Sequence, residues 1–221
     1  MGYRGSMDLT LQGSLLDLTD EMSLRDLGAT RRHPLAGGAW VDVRPDWLAA
    51  GDELFTALLH GVPWHAERRQ MYDSVVDVPR LTKFYAAGED LPHPMLVAAR
   101  DALSAHYAAE LGEPFVTAGL CLYRDGRDSV AWHGDRIGRS RDSDTMIAIL
   151  SLGSPRTLTL RPRDGGSIPG TTVKSLRFPL AHGDLVVMGG SCQRTWDHAI
   201  PKTTKAVGPR ISIQFRPRGV R

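Results

Sequence analysis

Two stretches of the chain decide its fold: TMIAILSLGSPRTLTL at residues 145–160, and SLRFPLAHGDLVVM at residues 175–188. Both consist of short apolar or alternating segments separated by Gly, Pro, Ser or Asp. Segments of this kind, with turn residues between them, are typical of strands in a sandwich or barrel. The same pattern recurs at residues 115–117, 120–123 and 210–216. We therefore predict a mainly β structure after residue 114.

Two segments ahead of these strands predict helices. Apolar residues recur at helical spacing from Pro45 to His60, and again from Pro94 to Leu111. A pair of helices followed by many strands gives an α+β class, mainly β, with the helices bracing one side of a sheet.

The predicted organisation is one domain over residues 45–221, preceded by an N-terminal extension over residues 1–44 with little regular structure. The six residues before Met7 are predicted to be a cloning remnant. No secretory signal or apolar run long enough for a membrane helix is found in the sequence. With two cysteines only, a reducing cytoplasm and a monomer are the expected setting.

Charge is distributed unevenly along the chain. The net charge is −7 over residues 1–118 and +9 over residues 119–221. A basic half of this kind favours contact with a polyanion such as a nucleic acid, and a solvated basic surface explains it equally well.

The first candidate for chemistry is His133-Gly134-Asp135, together with His198 further along the chain. Two imidazoles and one carboxylate can form a facial triad that leaves coordination positions open, which is the pattern of non-haem iron(II) sites. The open positions can hold a bidentate co-substrate and dioxygen. Taken by itself, however, a His-x-Asp tripeptide is better explained as part of a surface loop, with His198 as an ordinary core histidine.

The second candidate is a pair of arginines, Arg210 and Arg216, on a predicted strand. Their even spacing places both on one face. Of the residues between them, Ser212 and Gln214 share that face, and Ile211, Ile213 and Phe215 lie on the other. An inward arginine is costly unless it meets an anion, and a guanidinium pairs bidentately with a carboxylate. This predicts a dicarboxylic co-substrate, with an exposed basic strand edge as the alternative.

In their order along the chain, these features resemble the AlkB family of 2-oxoglutarate oxygenases over residues 62–218. Seven motifs carry the resemblance: PRLT (79–82), YRDGRD (123–128), HGD (133–135), ILSLG (149–153), LAHGDL (180–185), QRTWDHAIP (193–201) and PRISIQFR (209–216). The resemblance implies a double-stranded β-helix, a jelly roll with the metal at its open mouth.

The resemblance also implies roles for individual residues. The facial triad would bind Fe(II), and Arg210 would hold the distal carboxylate of 2-oxoglutarate with help from the hydroxyl of Tyr123. Arg216 would lie near the metal-chelating end and steady Asp135 or the proximal carboxylate. Members of the family use O2 to hydroxylate an N-alkyl carbon, which leaves as an aldehyde, while 2-oxoglutarate becomes succinate and carbon dioxide.

The chain departs from the family pattern at three positions. Cys121 and Ser212 stand in the co-substrate pocket where many members have asparagine. Gly134 lies between two predicted metal ligands, where several DNA-repair members have a larger polar residue. These departures bear on co-substrate affinity and on substrate choice.

An enzyme that acts on a base must take it out of the stack and hold it against other groups. The predicted contacts to a base are Trp132, Trp64 and Tyr72. The predicted contacts to phosphate are six arginines: Arg80, Arg136, Arg139, Arg141, Arg161 and Arg163. Core packing is the competing explanation for Trp64 and Tyr72, and a solvated surface is the one for the arginines.

The sequence thus favours oxidative dealkylation of N-alkylated bases, such as 1-methyladenine and 3-methylcytosine, in DNA, with RNA as a further substrate. One alternative is an oxygenase of the same chemistry that acts on RNA, protein or a small molecule. A catalytically silent nucleic-acid-binding module is the other, although such a module has no need of a metal triad.

Overall fold

The structure is a computed structural model that describes residues 21–71, 74–135, 141–163, 165, 168 and 174–220, without the side chains of residues 68–71 and 74–77. Its helices are α1 (Asp52–Gly61), α2 (Pro94–His106), α3 (Ala108–Leu111) and α4 (Cys192–Thr195), with short 3-10 helices at Leu27–Ala29 and Ala36–Gly38. Its strands are β1 (Ser23–Leu24), β2 (Arg31–Pro34), β3 (Ala39–Arg44), β4 (Leu48–Ala49), β5 (His65–Met71), β6 (Ser74–Tyr85), β7 (Phe115–Tyr123), β8 (Val130–His133), β9 (Ile147–Gly153), β10 (Arg156–Pro162), β11 (Leu176–Leu180), β12 (Leu185–Gly190), β13 (Trp196–Ile200) and β14 (Arg210–Pro217).

Two antiparallel sheets form the body of the fold. The large sheet has the order β2-β3-β12-β9-β14-β7-β6-β5, and the small sheet has the order β11-β10-β13-β8. Neighbouring strands are often distant in sequence: β14, for example, lies between β7 and β9. This is the jelly-roll arrangement that the sequence predicted.

Strands β9 and β12 of the large sheet are largely apolar on both faces because each face packs against another layer. On β9, Ile147 and Ile149 belong to the core that includes residues of the small sheet, whereas Ala148 and Leu150 belong to the core on the helical side. Strict alternation of side chains along a strand explains this division.

Helices α1 and α2 cover the outer face of the large sheet, as predicted, against β9 and β7 respectively. Leu54 and Leu58 of α1 are fully buried one helical turn apart. Within the described part of the chain, no helix is both long and apolar enough to cross a membrane.

The predicted helix boundaries are wrong in two places. Instead of starting at Pro45, α1 begins at Asp52, because Asp46 and Ala50 both have φ of 51° and cannot belong to a right-handed helix. The second helix is interrupted at Tyr107, where φ is −94° and ψ is 9°. The hydroxyl of Tyr107 donates to the buried carboxylate of Asp42, 3.0 Å away.

The N-terminal region is more regular than predicted over its described part. Instead of an irregular extension, residues 39–44 form β3, which pairs along its whole length with β12, and β2 continues the sheet beyond it. Arg32 of β2 donates two hydrogen bonds of 2.8 Å to Asp42. This side chain therefore anchors the edge strand to a buried carboxylate.

Candidate active site

A cavity of about 710 Å³ lies between the two sheets. Strands β6, β7 and β14 contribute one wall, and β8 and β13 contribute the opposite one. Among the residues that line it are the predicted facial triad, both predicted arginines, and Tyr123. The sequence motifs that were far apart in the chain therefore converge on one space.

The triad is assembled by one rung of the small sheet and the turn that follows it. His133 on β8 is directly paired with His198 on β13, and their ring centroids are 4.3 Å apart. Asp135 follows two residues after His133, with a carboxylate oxygen 3.4 Å from His133 Nε2. One ligand atom from each of the three lies within 4.8 Å of the others, which is a spacing that a single metal ion can bridge.

The two imidazoles are oriented for metal binding. His133 Nδ1 lies 2.9 Å from the carbonyl oxygen of Ala131, which can only accept a hydrogen bond, so Nδ1 is the donor and Nε2 is the nitrogen directed at Asp135. Burial, assisted by His133, lowers the pKa of His198 to about 3. His198 is therefore a neutral ligand at physiological pH.

Asp135 is held as a carboxylate by Arg216, which is the one permanent positive charge beside it, and by the two histidines. Burial acts to raise the pKa of Asp135, but the charge of Arg216 and the contacts with the two imidazoles together outweigh burial and keep this pKa well below its usual range. Arg216 Nη2 donates to Asp135 Oδ2 over 3.1 Å, and both side chains are largely buried. This contact is one of the two that the family resemblance implied for Arg216.

A support behind the triad was missed by the sequence analysis. Gln193 on α4 accepts a hydrogen bond of 3.2 Å from the backbone N–H of Asp135. Arg163 donates to the carbonyls of Gln193, Arg194 and Trp196, and to the carboxylate of Asp197 over 3.1 Å. Because its donors are used internally, Arg163 is not the phosphate contact that was predicted.

Gly134 fits against the same guanidinium. A Cβ at this position would lie 2.2 Å from Arg163 Nη2 and 2.7 Å from the carbonyl oxygen of Gln193. The space that a larger residue needs between the two ligands is thus already filled. This explains why the chain has glycine here.

Arg210 is almost completely buried, with 1% of its surface exposed. Its Nε donates to the hydroxyl of Ser151 over 2.9 Å, and its guanidinium lies 5.2 Å from the centre of the Tyr123 ring. No described atom accepts a hydrogen bond from Nη1 of this arginine. A buried guanidinium with an unused donor is costly, so this part of the cavity wall suits an anion.

Tyr123 and the two departures from the family pattern line the same wall. Burial raises the pKa of Tyr123 to about 12, so its hydroxyl remains a hydrogen-bond donor at neutral pH. Ser212 accepts a hydrogen bond of 2.7 Å from Gln214, and the sulfur of Cys121 lies 3.8 Å from Gln214 Oε1. Gln214 therefore bridges the two positions where the family often has asparagine.

The structure divides the predicted nucleic-acid contacts. Arg80 lines the cavity, with Nη1 3.4 Å from the carbonyl of Ser129. Trp64 is not among the residues that line the cavity: its indole N–H donates to the carbonyl of Leu59 and its ring packs on the helical core, and its contact with a base stays a prediction. Tyr72, Arg136 and Arg139 lie outside the described residues.

Trp132 is likewise not among the residues that line the cavity. Strand alternation points it to the side of β8 opposite His133. There it is 38% exposed and stacks under Arg161, whose guanidinium carbon is 4.5 Å from the ring centre. Trp132 therefore lies on the outer surface of the small sheet.

Some of the site residues that were not predicted have a recognisable pattern in the sequence, and others have none. Ser151 is a polar residue inside the apolar run of β9, and such a residue on a buried strand must have a partner. Phe84 and Glu67 line the cavity from β6 and β5, where sequence analysis predicted no strand. Gln193 and Arg163 act through backbone groups, which leave no pattern in the sequence.

A two-sheet jelly roll that holds a two-histidine, one-carboxylate triad beside an unpaired buried arginine defines the class of Fe(II)- and 2-oxoglutarate-dependent oxygenases. The donor set fits ferrous iron, and the arginine fits a carboxylate of the co-substrate. Comparison with known proteins agrees with this class. The 2OG-Fe(II) oxygenase superfamily matches residues 55–216.

The chain belongs to the 2OG-Fe(II) oxygenase superfamily, as an AlkB-like member. It is 31% identical to human alpha-ketoglutarate-dependent dioxygenase alkB homolog 3, over 89% of this chain and 69% of that protein. It is 32% identical to the bovine homolog 3. The match covers 62% of that protein, which is less than two thirds of its length. Human DNA oxidative demethylase ALKBH2 is 27% identical over 82% of this chain and 77% of that protein.

Solved structures support the fold. OsALKBH1 superimposes with a TM-score of 0.57 at 13% identity, covering 85% of this chain and all of that one. A prolyl-4-hydroxylase from Pseudomonas putida gives a TM-score of 0.53 at 16% identity, covering 81% of this chain and 93% of that one.

Proposed function

We propose that the protein removes alkyl groups oxidatively from N-alkylated bases in nucleic acid, with DNA as the preferred substrate and RNA as a second one. The observation that carries the chemistry is Arg210, which lines the cavity together with His133, Asp135 and His198 and has no described acceptor for its Nη1. A metal site alone would suit many reactions, but a buried cation beside it selects a co-substrate with a carboxylate.

Each residue of the site has a definite task in this proposal. His133, Asp135 and His198 would hold Fe(II), while Arg210 and the hydroxyl of Tyr123 would bind the distal carboxylate of 2-oxoglutarate. When bound, iron with 2-oxoglutarate and dioxygen would supply the oxidising power that hydroxylates the alkyl carbon. Arg216 keeps Asp135 ionised and aligned.

The substrate half of the proposal is supported by similarity and by charge. The human relatives are named as an alkB homolog and a DNA oxidative demethylase, and both match most of this chain. The net charge of +9 over residues 119–221 favours a polyanionic partner. Arg80 and Phe84 at the cavity would contribute a cation and an exposed aromatic ring for a base taken out of the stack.

The test is a single-turnover repair assay. Purified protein with Fe(II), ascorbate and 2-oxoglutarate is expected to remove one methyl group from an oligonucleotide that contains 1-methyladenine or 3-methylcytosine, as measured by mass. His133→Ala should abolish the reaction and lower the iron content. Succinate formation without base repair would contradict the proposed substrate, and turnover by His133→Ala equal to that of the unmodified protein would contradict the metal site.

A second candidate is the same chemistry on RNA, a protein side chain or a small molecule. It is favoured by the departures at Cys121, Ser212 and Gly134, which alter the pocket relative to many DNA-repair members. A panel of methylated DNA, RNA and peptide substrates at equal concentration separates the two candidates. Faster turnover of a peptide or of RNA than of DNA would favour the second.

A further inference from the structure

Cys121 is one of only two cysteines in the chain, and it lines the cavity from the middle of the wall that holds Arg210. On its strand it is paired with Thr82 of β6 on one side and with Ser212 of β14 on the other. Its side chain is half-buried, and the sulfur has Gln214 Oε1 at 3.8 Å. The thiol is therefore reachable from the cavity and held in a fixed direction.

Two arginines lie near this thiol. Arg210 lines the same cavity, is 1% exposed and has no described acceptor for Nη1. Arg80 lies on β6, on the other side of Cys121 from β14. Burial acts to lower the pKa of Arg80, but Cys121 and Tyr123 act to raise it and outweigh burial, so the pKa is raised. Cysteines in partly exposed, electropositive surroundings are the reactive ones in proteins.

We propose that Cys121 is a covalent modification site for small electrophiles that carry a carboxylate. The carboxylate would occupy the position opposite Nη1 of Arg210, which places the electrophilic carbon beside the sulfur. With a haloacetate, the sulfur–carbon bond forms as the carbon–halogen bond breaks, the halide leaves with the electron pair, and the thiol proton passes to solvent. The adduct would occupy the space beside Arg210 and exclude another carboxylate.

The second cysteine is a natural control within the same chain. Cys192 on α4 is 2% exposed, and burial raises the pKa of its thiol to about 12. A buried thiol that stays protonated is a poor nucleophile. Modification of the folded protein should therefore fall on Cys121.

The experiment compares two reagents that differ in charge. Folded protein is treated with iodoacetate or with uncharged iodoacetamide, and the rate constant at each cysteine is measured by peptide mass spectrometry. The ratio of the two rate constants is divided by the ratio for the urea-unfolded chain, which corrects for intrinsic reactivity. At Cys121 this normalised preference for iodoacetate should be about tenfold and should fall as NaCl is raised, since screening weakens attraction to the guanidinium groups.

Arg210→Met is the matched variant, because it replaces the cation with an apolar chain of similar length. It should abolish the preference, because the ratio of the two reagents cancels any change in the reactivity of the thiol itself. Should this variant fail to fold, the salt dependence of the unmodified protein tests the same charge effect. A normalised preference of one or less at Cys121, or alkylation of Cys121 no faster than of Cys192, overturns the proposal.

A final arm, which rests on the proposed function, adds 2-oxoglutarate with Mn(II) as a redox-inert metal. Protection of Cys121 is expected, because the co-substrate would occupy the same carboxylate position. A charge preference without protection would leave the modification site standing and contradict the co-substrate assignment. Protection without a charge preference would do the reverse.

Discussion

Replacing Arg163 with alanine tests how the metal ligands are held in place. The guanidinium joins three backbone carbonyls of residues 193–196 to Asp197, and it also lies against Gly134 between the two ligands of the metal loop. It thus connects the segment that leads to His198 with the loop that carries His133 and Asp135. In Arg163→Ala this connection is lost, while the backbone N–H of residue 163 can still donate to Thr195 over 3.0 Å.

The size of the effect follows from these contacts. The Arg163 side chain is 15% exposed, so water can reach only part of what the alanine leaves unpaired. Hydrogen bonds to a charged group contribute about 1.5–3 kcal/mol each, and partial replacement by water and by Arg161 reduces the sum. We expect a loss of about 2–3 kcal/mol in unfolding free energy. Metal affinity should fall about tenfold to a hundredfold, as when other residues that orient metal ligands are removed.

The assay is titration with Co(II) or Mn(II) by calorimetry, together with the visible absorption of the Co(II) protein and its thermal unfolding. Arg161→Ala is the matched control. Arg161 lies on the same face and is 3.6 Å from Asp197, but it is 42% exposed and reaches Trp132 rather than the loop carbonyls. This variant should bind metal within about twofold of the unmodified protein, because exposed ion pairs contribute little.

Two results would refute this account of Arg163. One is unchanged Co(II) affinity and absorption in a variant that is merely less stable, which would make Arg163 a structural residue without influence on the ligands. The other is an equal loss of metal affinity in both arginine variants, which would assign the effect to charge near Asp197.

Four further outcomes are expected. Gly134→Ala should cost about 1–3 kcal/mol of unfolding free energy and weaken Co(II) binding, because its Cβ would lie 2.2 Å from Arg163 Nη2; an unchanged melting temperature would contradict the tight fit. Arg210→Met should weaken 2-oxoglutarate binding by about 2–5 kcal/mol in calorimetry with Mn(II), but not metal binding measured alone; retained affinity would remove the carboxylate assignment. Tyr123→Phe should cost about 1 kcal/mol of 2-oxoglutarate affinity equally at pH 7 and pH 9.5, since the pKa of about 12 keeps the phenol protonated; an effect that vanishes at pH 9.5 would show otherwise. Trp132→Ala should leave the KM for a methylated oligonucleotide unchanged because the ring lies outside the cavity, and a clear rise in KM would restore the predicted base contact.

The sequence was sufficient where side-chain direction follows from strand alternation. On β14, Arg210, Ser212, Gln214 and Arg216 line the cavity, while the apolar residues between them pack on the helical side, as predicted. The same rule, applied to β8, would have placed Trp132 away from the cavity. Its proximity to a metal ligand in sequence was misleading.

The sequence was insufficient where long-range strand pairing or contacts with backbone groups determine which residues come together. The rung between His133 and His198 joins strands far apart in the chain, and only the family motifs indicated that they meet. Arg161 and Arg163 are two residues apart on one face. Arg161 is nevertheless solvated, whereas Arg163 is enclosed by carbonyls. Nothing in their local sequence distinguishes them.

The pairing of β3 with β12 has a practical consequence for engineering the protein. The region matched by the superfamily starts at residue 55, so trimming the chain to that region would delete β2 and β3 and leave β12 with an open edge. The newly bared strand carries Val186, Val187 and Met188, all completely buried in the intact protein. Unprotected apolar edges recruit strands from other molecules. Such a shortened protein should precipitate or self-associate during expression even though it keeps every residue of the catalytic cavity.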